Sequence, residues 1–141
     1  MKWVIDASVA AKWLAPEPES AQADALLDDD LMAPDLIFAE VANILWKKQA
    51  RGEMTVATAA VAARWLLQAP LLVVSGKDLM REASSLSMRL QHPAYDCFYL
   101  ALAMRQDCGL ITADKRLHRR CQQPDARDFA PRTAWLADQP S

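Results

Sequence analysis

The chain has 141 residues, 52% of them hydrophobic and 24% charged, with a formal net charge of −2. That length suits one domain with a real core, and that balance excludes an intrinsically disordered chain. The near-neutral charge offers no overall basic excess of the kind nucleic-acid binders often carry, so any such role has to come from local patches.

Trp3-Val4-Ile5 predicts a first buried strand. Ala7 to Leu14 suits a short helix stopped by Pro16 and Pro18. Glu19 to Asp29 suits another, with Ala23, Leu26 and Leu27 on one face. Leu31-Met32-Ala33 predicts a second strand before Pro34. Asp35 has the character of an N-cap for a helix running to about Arg51, with Gly52 as its stop and Ile37, Val41, Ile44 and Leu45 as its apolar stripe. Thr55 to Gln68 is an Ala-rich helix, Leu71 to Val74 a third strand, and Lys77 to Leu90 a further helix. Pro93 fits the first turn of a helix to about Asp107, closed by Gly109. Leu110-Ile111-Thr112 reads as a fourth strand, followed by a basic helix from Asp114 to about Arg120. Beyond Gln122 the chain is polar and irregular, and Phe129 is expected to close a last short strand. The domain is expected to span residues 1–132, with residues 133–141 a flexible tail. Strands alternating with helices predict an α/β fold: a central parallel sheet flanked by helices on both faces.

Cys97, Cys108 and Cys121 are odd in number and none is spaced for a zinc knuckle, as expected of reduced thiols in a cytoplasmic protein. No signal peptide is visible, and no stretch approaches the roughly 20 apolar residues of a membrane span, so no membrane association is expected.

Four acids sit in awkward places. Asp6 ends the first strand and Asp114 lies just past the fourth. Parallel strands carry both to the carboxyl edge of the sheet, where open α/β folds bind ligands. Glu40 lies three and four residues from Ile37, Leu36 and Ile44, beside the apolar stripe of its helix. Asp96 shares a face with Tyr99, Leu100 and Ala103, in a first turn where the helix dipole favours an anion. Each acid alone has an ordinary explanation as a cap, loop or surface residue. Together they would put four carboxylates in one cleft, where mutual repulsion raises their pKa values. A hard divalent cation, Mg²⁺ or Mn²⁺, relieves that conflict, and the lack of a His/Cys cluster argues against zinc. Such a centre suits hydrolysis of a phosphodiester. Ser8, Thr112 and Asn43 are placed to orient the carboxylates or to cap local backbone.

With these residues in view, "VIDASV", "APDLIFAEVANILWK", "YDCFYLALA" and "LITADKRL", in this order, resemble the PIN-domain ribonucleases, in particular the VapC-type toxins of bacterial toxin–antitoxin pairs. The resemblance reaches to about residue 130. It implies a PIN-like fold, an Mg²⁺-dependent endoribonuclease whose acidic quartet is Asp6, Glu40, Asp96 and Asp114, and a cognate VapB-like antitoxin lying near the active site. Some PIN domains carry a further acid just after the Asp114 position; here Lys115, Arg116, Leu117 and His118 follow, which leaves one or two metal ions open, with a single well-held ion as one resting state.

Lys12, Lys115, Arg116 and Arg119 are candidate contacts to RNA phosphates. Lys47, Lys48 and Arg51 are equally well explained as cations at a helix end. Trp13, Trp46 and Trp65 bring more apolar surface than a small domain easily hides, which suggests a homodimer that also binds an antitoxin. Two other readings stay open from sequence alone: a housekeeping PIN nuclease of RNA maturation and an Mg-binding signalling receiver domain.

Overall fold

The computed structural model describes residues 1–141. Its centre is a five-stranded sheet built from β1 (Lys2–Ile5), β2 (Asp30–Pro34), β3 (Leu71–Val74), β4 (Gly109–Thr112) and β5 (Thr133–Trp135), all parallel, in the order β3-β2-β1-β4-β5. Val4 sits opposite Met32 on one side and Leu110 on the other. Seven α-helices connect the strands: α1 (Ala7–Leu14), α2 (Ser20–Ala25), α3 (Leu36–Ala50), α4 (Val56–Gln68), α5 (Gly76–Leu90), α6 (Ala94–Arg105) and α7 (Lys115–Cys121).

The chain walks outward from β1 to β3, then returns to add β4 on the far side of β1. Parallel crossovers are right-handed, so the two directions of travel put α1 to α4 and α5 to α7 on opposite faces. α1 packs on α2 and α3, α3 on α4, and α5 on α6, which itself crosses β1, β2 and β4. The reversal makes the carboxyl ends of β1 and β4 a topological switch point, the place where such sheets open a crevice.

Local chemistry explains most boundaries. The Asp6 carboxylate caps α1 by accepting from the backbone N–H of Ser8 and Val9. Small residues at Ala7, Ala10 and Ala11 let α1 lie close on the core. Ile37, Val41 and Leu45 form the buried stripe of α3. Thr55 caps α4 and Ser75 caps α5, while Gln91 in the left-handed conformation ends α5. α6 is buried nearly all round, from Cys97 through Tyr99 to Ala103. A Cβ at Gly109 would stand 2.4 Å from the Trp3 ring, so the β1–β4 seam closes only over glycine.

Several expectations are corrected. Residues 133–138 are not part of a loose tail: Thr133–Trp135 pairs with β4 as an edge strand, and Leu136, fully buried, opens a 3₁₀ turn to Asp138. Phe129 belongs to no strand and is a buried plug before β5. Residues 19–29 divide into α2 and a 3₁₀ turn over Leu26–Asp28. Asp35 precedes α3 without capping it; its Oδ1 accepts from the Gly76 N–H at 3.0 Å and so ties the β2–α3 turn to the β3–α5 turn. Gly109 opens β4 and does not close α6, where Asp107 takes the left-handed turn.

The edge strand generates a stability test. Leu136→Ala should cost about 2–4 kcal/mol by removing a fully buried side chain, read as a lower urea midpoint at unchanged slope. Deleting residues 139–141 should leave that midpoint in place.

Candidate active site

Asp6, Glu40, Asp96 and Asp114 all line one cavity of about 210 Å³ at the carboxyl edge of the sheet, together with Ser8, Asn43 and Tyr99. β1 delivers Asp6, the second turn of α3 delivers Glu40, the first turn of α6 delivers Asp96, and Asp114 is the N-cap of α7 directly after β4. Four acids from four separate elements therefore share one space, as the sequence reading expected. They do not close on one point: no three of them stand near enough to enclose an ion by themselves. The arrangement is a lined cavity and not a preformed cage.

Each carboxylate is held back by its own donor. Ser8 Oγ donates to Asp6 Oδ1 at 2.5 Å, and Thr112 Oγ1 donates to Asp6 Oδ2. Those hydroxyls are themselves fixed, because the Ala113 N–H donates to Ser8 Oγ and the Asp114 N–H to Thr112 Oγ1, both at 2.9 Å. Ser8 and Thr112 thus stitch the end of β1 to the end of β4. Tyr99 Oη donates to Glu40 Oε1 at 2.6 Å. His92 Nε2 lies 2.6 Å from Asp96 Oδ2; an ionised carboxylate only accepts, so this nitrogen carries the proton when Asp96 is charged. The Arg116 N–H donates to Asp114 Oδ1 at 2.9 Å. Glu40 Oε2, Asp96 Oδ1 and Asp114 Oδ2 take no hydrogen bond from the protein. Asn43 lines the cavity but makes no hydrogen bond to the acids.

His92 and Tyr99 were not among the expected site residues. Both are buried, and each meets its acid at ordinary hydrogen-bond length. The four-residue spacing of His92 and Asp96 was the only sequence signal, and it lies across the turn that starts α6. The α5–α6 junction is rigid there: the His92 N–H donates to the Ser87 carbonyl, and Ser87 Oγ donates to the His92 carbonyl at 2.8 Å.

The cluster is under electrostatic load. Burial pushes the Asp6 carboxyl up to about 7, against the pull of Ser8, Thr112 and Val9, with Asp96 adding to the rise. Burial raises Glu40 too; the Tyr99 hydroxyl opposes it, and the charges of Asp96 and Asp114 add to it. Asp96 is raised chiefly by burial, against its His92 hydrogen bond. Burial, and after it the nearby carboxylates, push the Tyr99 phenol far above its usual value, so it stays a donor. The donor set is all oxygen, three of its atoms are unengaged by protein, and the acids resist ionising together. This is the chemistry that a hard divalent cation with part of its water shell satisfies.

Among the expected phosphate contacts, Lys115, Arg116 and Arg119 are exposed on α7 and make no ion pair, and the charge of Arg116 reaches Asp96. Lys12 is engaged by Glu17 at 3.2 Å and Glu19 at 3.4 Å. A larger cavity of about 510 Å³ lies between α5 and α6, but its Arg105 and Glu82 neutralise each other at 2.8 Å and it holds no cluster of acids. The three cysteines are free thiols, and no helix is long and apolar enough to cross a membrane.

Comparison with known proteins agrees with this geometry. The family model described as "PIN domain" matches residues 3–122. The chain is 34% identical over 121 residues to Ribonuclease VapC3 of Pyrobaculum aerophilum, covering 83% of this chain and 92% of the relative. The crystal structure of PAE2754 from Pyrobaculum aerophilum superposes with a TM-score of 0.64 at 20% identity, over 99% of this chain and 91% of that one. Mycobacterium tuberculosis VapC20, described as a toxin that cleaves the sarcin–ricin loop, superposes with a TM-score of 0.62 at 16% identity, over 82% and 92%. These last two likenesses establish the shared fold. With matched segments that span the whole acid-lined cavity, the chain belongs to the PIN-domain family and is a homologue of the VapC ribonucleases.

Proposed function

We propose that this protein is a divalent-metal-dependent endoribonuclease that hydrolyses RNA phosphodiesters and acts as the toxin of a toxin–antitoxin pair. The observation that carries the reading is the gathering of Asp6, Glu40, Asp96 and Asp114 from four elements into one cavity, each with its own hydrogen-bond donor. Asp96 and Asp114 have the unengaged oxygens that would hold Mg²⁺ or Mn²⁺, Glu40 would either complete that set or serve as the base, and Asp6 anchors the cluster. A bound divalent ion supplies a Lewis acid for the phosphate and a water of lowered pKa. Glu40, its other oxygen fixed by Tyr99, is oriented to accept a proton from an attacking water. Ser8 and Thr112 hold Asp6 in one rotamer, and Asn43 is available to a water or to substrate. Lys115, Arg116 and Arg119 are candidates for phosphates of the strand.

Partner binding rests on the apolar surface of α3 and α4. Trp46 is 61% exposed and Val61 57%, with Trp65 packed edge-on against Trp13 at 5.8 Å. A surface of this kind suits a VapB-like antitoxin segment and a second copy of the chain in a homodimer. A housekeeping nuclease would use the same cavity; a co-transcribed small partner that silences cleavage distinguishes the toxin. The signalling-receiver alternative has no support left, since the chain belongs to another family and β3 is an edge strand that ends at Val74, followed by Ser75 and Gly76 at the start of α5.

Asp114→Asn should reduce cleavage of single-stranded RNA by at least about a hundredfold, since one unengaged carboxylate oxygen facing the cavity is lost. Wild-type cleavage by this variant, or undiminished cleavage by the native protein in EDTA, would refute the metal reading. His92→Ala should weaken Mg²⁺ binding, measured by calorimetry, about 10–100-fold by freeing the Asp96 side chain, and His92→Gln should recover part of that loss. Stability should also depend on pH in a defined sense. The folded-state pKa of Asp6 is raised, so its protonated form is favoured by folding. Its contribution is full below the ordinary carboxylate range and is lost as pH climbs through about 7. The melting temperature of the metal-free protein should therefore fall between pH 5 and pH 8, and saturating Mg²⁺ should flatten that fall.

A further inference from the structure

A groove of about 350 Å³ adjoins the acid cavity and shares Ser8 and Ile44 with it. Lys12, Lys47, Lys48 and Arg51 line it, and Glu17 is the only acid in its lining. Glu17 is fully occupied: one carboxylate oxygen meets Lys12 at 3.2 Å and the other accepts from Lys48 Nζ. The side chains of Lys12 and Lys48 are only 16% and 17% exposed, so Glu17 fixes two ammonium groups in place on buried stems. Lys47 and Arg51 are exposed at the end of α3 and make no ion pair. Four cations therefore line the groove directly beside a cavity of four acids: Lys12 and Lys48 are shared among Glu17, Glu19 and Glu53, while Lys47 and Arg51 are left unpaired. Nothing in the cavity's own chemistry requires them.

Resting on the nuclease reading above, we propose that this groove is a backbone subsite, which seats the phosphates of single-stranded RNA that neighbour the one being cut. The acids of the cavity repel an approaching polyanion, so attraction has to come from an adjoining surface. A strand held at the acid cavity must also continue beyond it, and the groove adjoins the cavity through their shared residues Ser8 and Ile44. Cationic grooves that track the backbone bind single strands without regard to sequence. An acidic polypeptide is the less suitable occupant. Its side chains would meet the quartet with no phosphate to present to a bound ion, whereas an RNA strand has reason to lie across both spaces.

The test compares the full-length protein with the double variant Lys47→Gln/Arg51→Gln, two exposed positions whose change leaves the core untouched. A short fluorescein-labelled oligouridylate is titrated in EDTA, where no cleavage occurs, and anisotropy is followed over a range of KCl concentrations. Each lost phosphate contact lowers the slope of log K against log salt by about 0.7, so the double variant should lose about 1.4. Mg²⁺ affinity by calorimetry should be unchanged, which separates the groove from the metal cavity. An unchanged slope and affinity in the variant, beside wild-type RNA binding, would overturn the subsite alone and leave the nuclease reading standing. Poly-L-glutamate competing as well as the RNA would also overturn it, in favour of an acidic polypeptide. A native protein that neither binds nor cuts RNA would overturn both readings.

Discussion

A single buried carboxylate organises this protein. Asp6 is 4% exposed, at the seam where β1 meets β4. Burying an ionised carboxylate is costly unless donors replace its water. Here four donors do so: two backbone N–H groups at the start of α1 and the hydroxyls of Ser8 and Thr112. The same side chain thus starts a helix, clamps two central strands at their carboxyl ends and faces a cavity. Thr112 and Ser8 pass the clamp on to the backbone of Ala113 and Asp114, so the position of Asp114 follows from that of Asp6. Residues more than a hundred positions apart become one unit, because the sheet order reverses at β1 and brings β4 beside it.

Given that anchor, the remaining acids are set by packing. α3 and α6 both bury apolar residues against the core, which fixes how each helix is rotated. Glu40 then falls between the stripe of Ile37, Val41 and Leu45 and the open edge, and Asp96 falls one turn before Tyr99 and Leu100. The helices have little freedom to turn the acids away without exposing that core. Burial of the cluster is therefore built into the fold, and together with the smaller repulsion among the acids it appears as the upward pressure on Asp6, Glu40 and Asp96.

The sequence carried much of this, and the parts it hid are physically intelligible. Short β-branched and Leu-rich runs bounded by prolines and helix starts gave away β1, β3 and β4. The acids stood out because they interrupt such runs or sit on apolar faces. β5 stayed hidden because three residues of mixed character carry no alternation to read; only its pairing with β4 and the buried Leu136 beyond it make it a strand. Asp35 looked like a cap in a local window, but its carboxylate is claimed by a backbone amide 41 residues later. The partners of the acids were the least legible feature. Tyr99 and Glu40 are 59 positions apart, and periodicity within one helix says nothing about which side chain meets it from another. Asn43 has the right spacing from Glu40 on α3 and lines the cavity, but makes no hydrogen bond to the acids.

The identity of those partners has a functional logic. Had Lys or Arg side chains bound the four carboxylates directly, the charge would be cancelled and the cavity would have no call on a cation. Hydroxyls from Ser8, Thr112 and Tyr99 and the Arg116 backbone N–H instead supply direction to Asp6, Glu40 and Asp114 without cancelling their anionic oxygens. Positive side chains are kept one step away, where Glu17 engages Lys12 and Lys48 and the Arg116 guanidinium acts on Asp96 only through space. The chain thus separates two electrostatic tasks on adjoining surfaces. One surface stays negative enough to demand a divalent ion, and its neighbour stays positive enough to attract a polyanion. The carboxyl edge of the sheet at β1 and β4 provides room for both, because the cavity and the groove adjoin there and share Ser8 and Ile44.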